Sequence, residues 1–268
     1  MRRHIKKLRR TLLFLAGTLL VLAAIRYIHR APFEGDKIKE SLPGHKAETV
    51  KFFPFSAGDA LKEWEEKVFK GKVVYSIEKS EDMSYVKAAS DGAASALYYR
   101  IKVDAKNRRP AISWKWKVEK FPTKKECESL DKENEDDFAA RVFVIFPAMF
   151  LTNSKVLEYV WAENLGVDTV GTSPYSKNIK LIVLRSGLDK DKRWFSEDRD
   201  IISDYIKMFG RMPEYNIGAV AFMTNTEHTG SGAEAMYDEI EIGYKNDSVK
   251  EGGLADESKI LKNKISDR

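Results

Sequence analysis

The sequence has little of the chemistry on which many catalytic and metal sites depend. It contains one cysteine, Cys127, and four histidines in 268 residues. A single cysteine excludes an intrachain disulfide and a zinc site built from several cysteines. Three histidines fall within the first 45 residues, so a histidine-based zinc site or a Ser-His-Asp triad would depend on His228 alone. We therefore predict no cofactor and no hydrolase of these types.

Acidic residues are absent from the first 30 positions, which hold eight of the 46 Lys and Arg residues. The remaining 38 basic residues face 41 acidic ones, a net charge of −3, although the whole chain carries +5. The excess positive charge therefore belongs to the N-terminus and is not spread over a folded domain. This distribution argues against nucleic acid as a partner.

An uninterrupted apolar run, residues 11–25, follows six Lys and Arg residues in the first ten positions. This order is typical of an export signal whose basic flank stays in the cytoplasm. A helix of this length spans about 22 Å, which suits a cleaved signal peptide, whereas Arg26, Tyr27 and Arg30 could anchor an uncleaved helix. We predict an uncleaved N-terminal membrane helix in residues 1–30, with residues 11–28 in the bacterial inner membrane and the remainder in the periplasm. Cleavage would instead release the protein into the periplasm.

The rest of the chain divides into three parts. Residues 31–49 contain the prolines and glycines typical of a linker. Residues 246–268 have few large apolar side chains and are predicted to be a flexible tail. Residues 50–245 are therefore predicted to form one domain.

The predicted domain consists mainly of short segments rich in β-branched and aromatic residues, separated by turn-forming residues. Ile112, Trp114, Trp116 and Val118 alternate with polar residues and so share one face of a strand. Residues 138–146 are apolar on both faces, which predicts a central strand covered on both sides. The predicted strands are 50–55, 72–78, 84–90, 96–103, 111–118, 138–146, 155–162, 178–185, 215–224 and 236–244.

Two segments have the spacing of helices, residues 56–69 around Trp64 and residues 198–209. In the second, Ile201, Ile202 and Tyr205 lie on one side. Ten strands with one or two packed helices predict a mainly β fold, an antiparallel jelly-roll sandwich.

Aromatic residues with partly polar neighbours are the candidate ligand contacts. Tyr159 and Trp161 share a strand face with Leu157, and this face could be core or a concave binding surface. Tyr175 follows a proline in a predicted loop, and Arg141 is a cation in the otherwise apolar central strand. We predict that Tyr159, Trp161, Tyr175 and Arg141 contribute to ligand binding.

Asp238 is a carboxylate in the last strand, on the face predicted to carry Met236, Ile240, Ile242 and Tyr244. It could pair with an arginine, cap a loop at the sheet margin, or bind a structural calcium with oxygens from loop 225–232. Calcium sites usually gather several acids, and that loop offers only one. The sequence therefore favours an ion pair or a cap over a metal at Asp238.

Paired carboxylates could serve glycoside chemistry. Asp136 and Asp137 open the central strand, and Glu197, Asp200 and Asp204 lie around the second predicted helix. Capping and surface salt bridges explain such charges equally well. We interpret them as structural, with Asp136 and Glu197 as the first residues to test for catalysis.

Five segments resemble, in order, an exported bacterial family known as domain of unknown function 3047. They are residues 114–118 (WKWKV), 136–142 (DDFAARV), 159–161 (YVW), 194–200 (WFSEDRD) and 237–240 (YDEI). The resemblance implies a jelly roll similar to galactose-binding-like or lectin-like domains. It implies no established activity, cofactor or catalytic residue.

These features lead to one main hypothesis and two alternatives. The main hypothesis is a membrane-anchored, non-catalytic envelope protein whose domain binds a glycan or another envelope component. The first alternative is a structural subunit of an envelope membrane complex, which would show a large apolar surface patch. The second is a polysaccharide hydrolase or lyase with two carboxylates in one cleft.

Overall fold

The computed structural model describes residues 48–80, 83–124 and 128–245. Within these ranges the chain forms two packed β-sheets and one α-helix. The predicted membrane helix, the linker up to residue 47, Cys127 and the predicted tail lie outside them. In the part that is described, no helix is long and apolar enough to cross a membrane.

The described chain consists mainly of strands, interrupted by one α-helix and three short 3-10 helices. The strands are β1 (Glu48–Phe53), β2 (Glu65–Lys70), β3 (Val74–Lys79), β4 (Ser84–Asp91), β5 (Ala94–Val103), β6 (Pro110–Lys120), β7 (Ala140–Phe146), β8 (Lys155–Ala162), β9 (Val170–Thr172), β10 (Ile179–Ser186), β11 (Phe195–Asp200), β12 (Ile217–Asn225) and β13 (Gly232–Tyr244). The α-helix is α1 (Ile201–Phe209), and short 3-10 helices occupy Ala60–Glu63, Glu133–Glu135 and Leu151–Asn153.

One sheet has six strands in the order β11-β6-β13-β4-β3, with β1 paired to the C-terminal half of β13. The other has seven strands in the order β2-β5-β12-β7-β8-β10-β9. From β4 to β7 the chain crosses to the opposite sheet at each step, as in a jelly roll. The predicted β-sandwich is therefore confirmed. The prediction that its strands are antiparallel holds for every pair except β8 and β10, which run parallel. The reason is that β9 returns the chain to the end of the sheet at which β8 starts, so β10 runs in the same direction as β8.

The interior core lies between the two sheets and is rich in rings. Ile112, Trp114, Trp116 and Val118 all point into it, as their alternation predicts. Trp114 packs on Trp116 at 5.3 Å between ring centroids, and Trp116 packs on Trp161 at 5.6 Å. Burial of such large apolar side chains is the main source of stability for a domain of this size.

A second apolar cluster covers the outer face of the seven-stranded sheet. Val156 and Val160 of β8 point into it, together with Leu130 and Phe138 from the segment before β7. Strand β7 is therefore covered on both sides, which confirms the prediction for residues 138–146. The same covering segment carries the acids of the site described below.

The prediction of a helix over residues 56–69 is wrong. Residues Ala60–Glu63 form a single 3-10 turn, and Glu65–Lys70 pair with β5 as an edge strand. Trp64 packs 4.6 Å from Phe53 in the interior core. Pairing with β5 decides the conformation here, since a short apolar run fits either a helix or a strand.

The second predicted helix is right in its C-terminal part only. Residues Phe195–Asp200 pair with β6 as β11, and the helix begins at Ile201. The Asp200 carboxylate accepts hydrogen bonds from the backbone N–H groups of Ile202 and Ser203, which caps the helix. The helix ends at Gly210, whose φ of 70° is the left-handed conformation that favours glycine.

Candidate functional site

The structure places two of the four predicted ligand contacts in the interior core. Tyr159 is 0% exposed and Trp161 is 2% exposed. The Tyr159 hydroxyl donates to Asp204 Oδ2 at 2.9 Å, and Trp161 Nε1 donates to the Gly187 carbonyl at 2.9 Å. Their strand face is the core face rather than a binding surface, so the prediction that these rings contact a ligand is wrong.

Arg141, the third predicted contact, lies at the centre of a buried polar network. It is 3% exposed and points from β7 to the outer face of the seven-stranded sheet. Its guanidinium donates to Asp136 Oδ1 at 3.0 Å, to Asn225 Oδ1 at 3.0 Å and to the Glu158 carboxylate. The planar fork of arginine suits this set, since it can donate in several directions at once.

Two carboxylates share this one guanidinium. Burial raises the pKa of Asp136 and the pKa of Glu158, the latter to about 7, although Arg141 opposes both shifts. The attraction of the two acids outweighs burial at Arg141 and raises its pKa. The network therefore holds a permanent cation beside two acids whose protonation is favoured by burial and opposed by that cation.

Asn225 connects this network to the loop that follows β12. Its side-chain amide donates to Asp137 Oδ1 at 3.0 Å and to Glu227 Oε2 at 2.9 Å, while its oxygen accepts from Arg141. Asp137 in turn accepts from the backbone N–H groups of His228 and Thr229. Segments that are about 90 residues apart in sequence are thus held together by one continuous set of hydrogen bonds.

Tyr175, the fourth predicted contact, lies at the solvent end of this set. Its hydroxyl is 2.6 Å from His228 Nε2, and the two rings are stacked at 6.0 Å between centroids with 25° between their planes. Tyr175 is half-buried and His228 is exposed. We call Tyr175, His228 and Glu227 the mouth of the site.

The charges at the mouth are coupled. Glu227 Oε1 lies 3.3 Å from His228 Nε2. Burial lowers the pKa of His228, but its hydrogen bond to Glu227 and the nearby negative charges of Glu227, Asp137 and Asp136 together outweigh burial and raise that pKa overall. Burial likewise raises the pKa of Glu227 against the opposing effect of His228. The mouth therefore offers both a hydrogen-bond donor and an acceptor near neutral pH.

Asp137, Glu227 and His228 also form the set of described residues that could hold a metal ion. Each offers one ligand atom, and these atoms lie within 4.8 Å of one another. One imidazole and two carboxylates suit a divalent transition metal. The Asp137 oxygens, however, already accept the loop N–H groups that fix His228 in place.

Asp238 lies elsewhere, on the outer face of the six-stranded sheet. A bulge at Glu239, with a φ of 46°, shifts the register of β13. Tyr237, Ile240 and Ile242 consequently point into the interior core, while Met236 and Asp238 do not. The prediction that Asp238 shares a face with Ile240 is wrong because the bulge reverses the alternation.

Among the described residues, neither an arginine nor loop 225–232, the disfavoured source of calcium ligands, meets Asp238. Arg141 and Glu227 both belong to the network on the other sheet. Lys115, opposite Asp238 in β6, donates to Glu239 at 2.7 Å. Asp238 is 3% exposed, and its Oδ1 has no hydrogen-bond donor among the described residues. Burial raises its pKa to about 7.

The other predicted carboxylates have structural partners, as interpreted from the sequence. Glu197 accepts from Trp116 Nε1 at 3.0 Å and from Arg185 Nε at 2.6 Å. Asp204 accepts from Arg199 and Tyr159 beneath the helix. Asp136 pairs with Arg141. Both residues proposed for catalytic tests, Asp136 and Glu197, are therefore held in salt bridges.

Sequence reasoning named Arg141, Tyr175, Asp136, Asp137 and the loop of His228 separately, and the structure brings them into one site. Reasoning from the sequence did not identify Glu158 and Asn225 as members of this site. Glu158 alternates with Leu157 and Tyr159, so its place on the outer face could have been inferred from the period of the strand. No local signal connects Asn225 with Asp136, since register and loop closure bring them together.

Comparison with known families gives one assignment. Residues 62–241 match the family described as "Protein of unknown function (DUF3047)", and the chain belongs to that family. The resemblance found in the sequence is therefore confirmed. A search of curated proteins found no match.

Solved structures provide distant likenesses in fold. The endoglucanase cel12A from Rhodothermus marinus has a TM-score of 0.43 at 11% identity, covering 68% of this chain and 96% of that one. The xyloglucanase domain of NopAA from Sinorhizobium fredii has a TM-score of 0.40 at 13% identity, covering 68% and 93%. The family 11 carbohydrate-binding module of a Clostridium thermocellum cellulosomal cellulase has a TM-score of 0.38 at 11% identity, covering 76% and 96%. Likenesses of this degree do not say what this chain binds.

Proposed function

We propose that this domain binds a glycan of the bacterial cell envelope, without catalysis, at the mouth formed by Tyr175, His228 and Glu227. The observation that supports it is the stacked, partly exposed ring pair directly above hydrogen-bonded carboxylates. Sugars present apolar C–H faces and hydroxyl edges, and this pairing of rings with polar groups can meet both.

The buried network gives the mouth its rigidity. Arg141 holds Asn225, Asn225 holds Glu227, and Asp137 fixes the backbone at His228. A ligand that binds such a prearranged set loses less free energy to ordering side chains. Arg141 itself is a positioning residue here, since it is buried behind the groups that would touch the ligand.

The proposal includes the location predicted from the sequence. Residues 11–28 would anchor the chain in the inner membrane, with the sandwich in the periplasm. There the mouth could meet a cell-wall or outer-envelope saccharide.

The test uses the full chain in mild detergent on an array of peptidoglycan fragments and envelope polysaccharides. We expect at least one saccharide to bind, and Tyr175→Ala and His228→Ala each to weaken it about tenfold or more. The matched control is Trp194→Ala, because Trp194 packs 5.4 Å from Tyr85 by the six-stranded sheet, away from the mouth.

Two results would contradict the proposal. If no saccharide binds, glycan recognition is wrong. If Trp194→Ala abolishes binding while Tyr175→Ala and His228→Ala do not weaken it, the ligand class stands but the site is wrong.

A further inference from the structure

One end of the sandwich exposes large apolar side chains. In the turn between β7 and β8, Met149 is 81% exposed and Phe150 is 69% exposed. In the turn after α1, Met212 is 43% exposed. We call Met149, Phe150 and Met212 the apolar tip. Adjacent, highly exposed apolar residues at the end of a rigid turn usually mark a contact surface.

The two turns lie at the same end of the molecule. Gly218, at the start of β12, approaches Pro147 so closely that an added Cβ would lie 2.3 Å from Pro147 Cγ. Phe209, the last residue of α1, has its ring 5.4 Å from Lys155 Nζ at the start of β8. The turn after the helix therefore begins beside the turn that carries Met149 and Phe150.

Positive charge surrounds the tip. Lys155 is repelled by Arg211, Lys177 and Lys180 and attracted by Glu214. Glu214 accepts from Arg211 at 2.6 Å, which leaves three positive charges in this group unbalanced. An apolar centre with a cationic rim matches the interface of an anionic bilayer, where apolar groups enter the headgroup region and cations meet phosphates.

Both ends of the described domain emerge at this end as well. Strand β1 begins at Glu48, opposite Tyr244 at the end of β13. Tyr244 accepts a hydrogen bond from the backbone of Asp104, directly after Val103, which pairs with Ile217 next to Gly218. The described part of the sandwich therefore begins, at Glu48, on the side of the apolar tip.

We propose that the sandwich docks on an anionic bilayer through the apolar tip, with Lys155, Lys177 and Lys180 facing lipid phosphates. The location of the tip beside Glu48 supports docking only if the membrane anchor of the proposed function is correct. The exposure and the charge of the tip do not depend on that anchor. Docking would hold the mouth at a fixed orientation to the membrane.

The test places an environment-sensitive fluorophore on the tip of the full chain. Cys127→Ser removes the single cysteine, and Met149→Cys then takes the label. We expect the label to shift to shorter wavelength and lose most of its quenching by iodide on vesicles of phosphatidylglycerol and phosphatidylethanolamine. Vesicles of phosphatidylcholine should give a much smaller change.

Two matched variants make the test specific. A label at Leu188→Cys, which is 50% exposed after the far end of β10, should stay in water on both kinds of vesicle. Lys177→Glu with Lys180→Glu should remove most of the shift at position 149 on anionic vesicles.

The outcomes separate docking from anchoring. A chain that floats with the vesicles while the label at 149 remains in water overturns docking and leaves the anchor intact. A label that shifts on anionic vesicles, although the chain does not float with neutral ones, supports docking and contradicts the anchor. Equal shifts on both lipids, or a shift only in native membranes that contain protein, overturns docking on anionic lipid.

Discussion

The outer faces of the two sheets each bury carboxylates, but they differ in what surrounds them. On the seven-stranded sheet, Asp136 and Glu158 share the guanidinium of Arg141, and Asn225 completes the set. On the six-stranded sheet, Asp238 is equally buried, and one of its oxygens has no donor among the described residues. Lys115, the nearest cation in the register, donates to Glu239 instead.

The difference shows two ways of accommodating a buried acid. In a network, the loss of one partner would leave an uncompensated buried charge. The acids and the cation therefore stay paired and ordered. An isolated acid is accommodated by a proton, and the pKa of Asp238 is accordingly raised to about 7. The first arrangement can hold a binding mouth rigid, although both make stability depend on pH, because the pKa of Glu158 is also raised to about 7.

The largest expected effect comes from removing the cation of the network. Arg141→Met should lower the free energy of unfolding by about 3–5 kcal/mol, because Asp136 and Glu158 would remain buried without a partner. The measurement is chemical denaturation of the full chain in detergent, followed by the fluorescence of the buried tryptophans.

A combined variant separates charge from packing. Arg141→Met with Asp136→Asn and Glu158→Gln should recover a large part of the loss, since the unpaired charges are then gone. If the triple variant is no more stable than Arg141→Met alone, the network acts through shape, and the comparison of the two sheets fails.

A smaller effect of opposite sign is expected at Asp238. The unfolded chain ionises this group near its usual pKa of 3.8, whereas the folded chain keeps the proton up to about 7. Asp238 therefore binds more protons in the folded state between these values, and its contribution to stability falls as pH rises from 4 to 7. Asp238→Asn should raise the free energy of unfolding by roughly 2 kcal/mol at pH 8 and leave it almost unchanged at pH 4.

Glu239→Gln is the matched control, because Glu239 is adjacent but partly exposed and paired with Lys115. It should leave the slope of stability against pH between 4 and 7 as it is in the parent chain. If the difference in stability between Asp238→Asn and the parent chain does not grow from pH 4 to pH 7, a partner stabilises ionised Asp238 and the interpretation is wrong.

The smallest effect is expected at an exposed ion pair. Arg193 donates to Asp189 at 2.9 Å, but its side chain is largely in solvent. Arg193→Met should give an unfolding curve that superimposes on that of the parent, since water replaces the lost partner. A loss comparable with that of Arg141→Met would show that burial is not what distinguishes the network.

Much of the fold could be predicted from the sequence because strand faces are local. The alternation in Ile112–Val118 predicts one buried face, and the two apolar faces of β7 predict a strand covered on both sides. Each prediction uses the residues of one segment only. Strand β11 was mistaken for part of a helix, since only its pairing with β6 makes it a strand. Tyr159 and Trp161 were assigned to one face correctly, but alternation does not say whether that face is interior or exposed.

The sequence by itself determined a β-rich domain, its central strand, the C-terminal part of the helix and the family to which the chain belongs. Only the tertiary structure decided which polar groups meet: Arg141 contacts Glu158 and Asn225, whereas Asp238 Oδ1 has no hydrogen-bond partner among the described residues. The physical reason is that period and capping act over a few residues, whereas ion pairs across strands depend on register, bulges and the closure of distant loops.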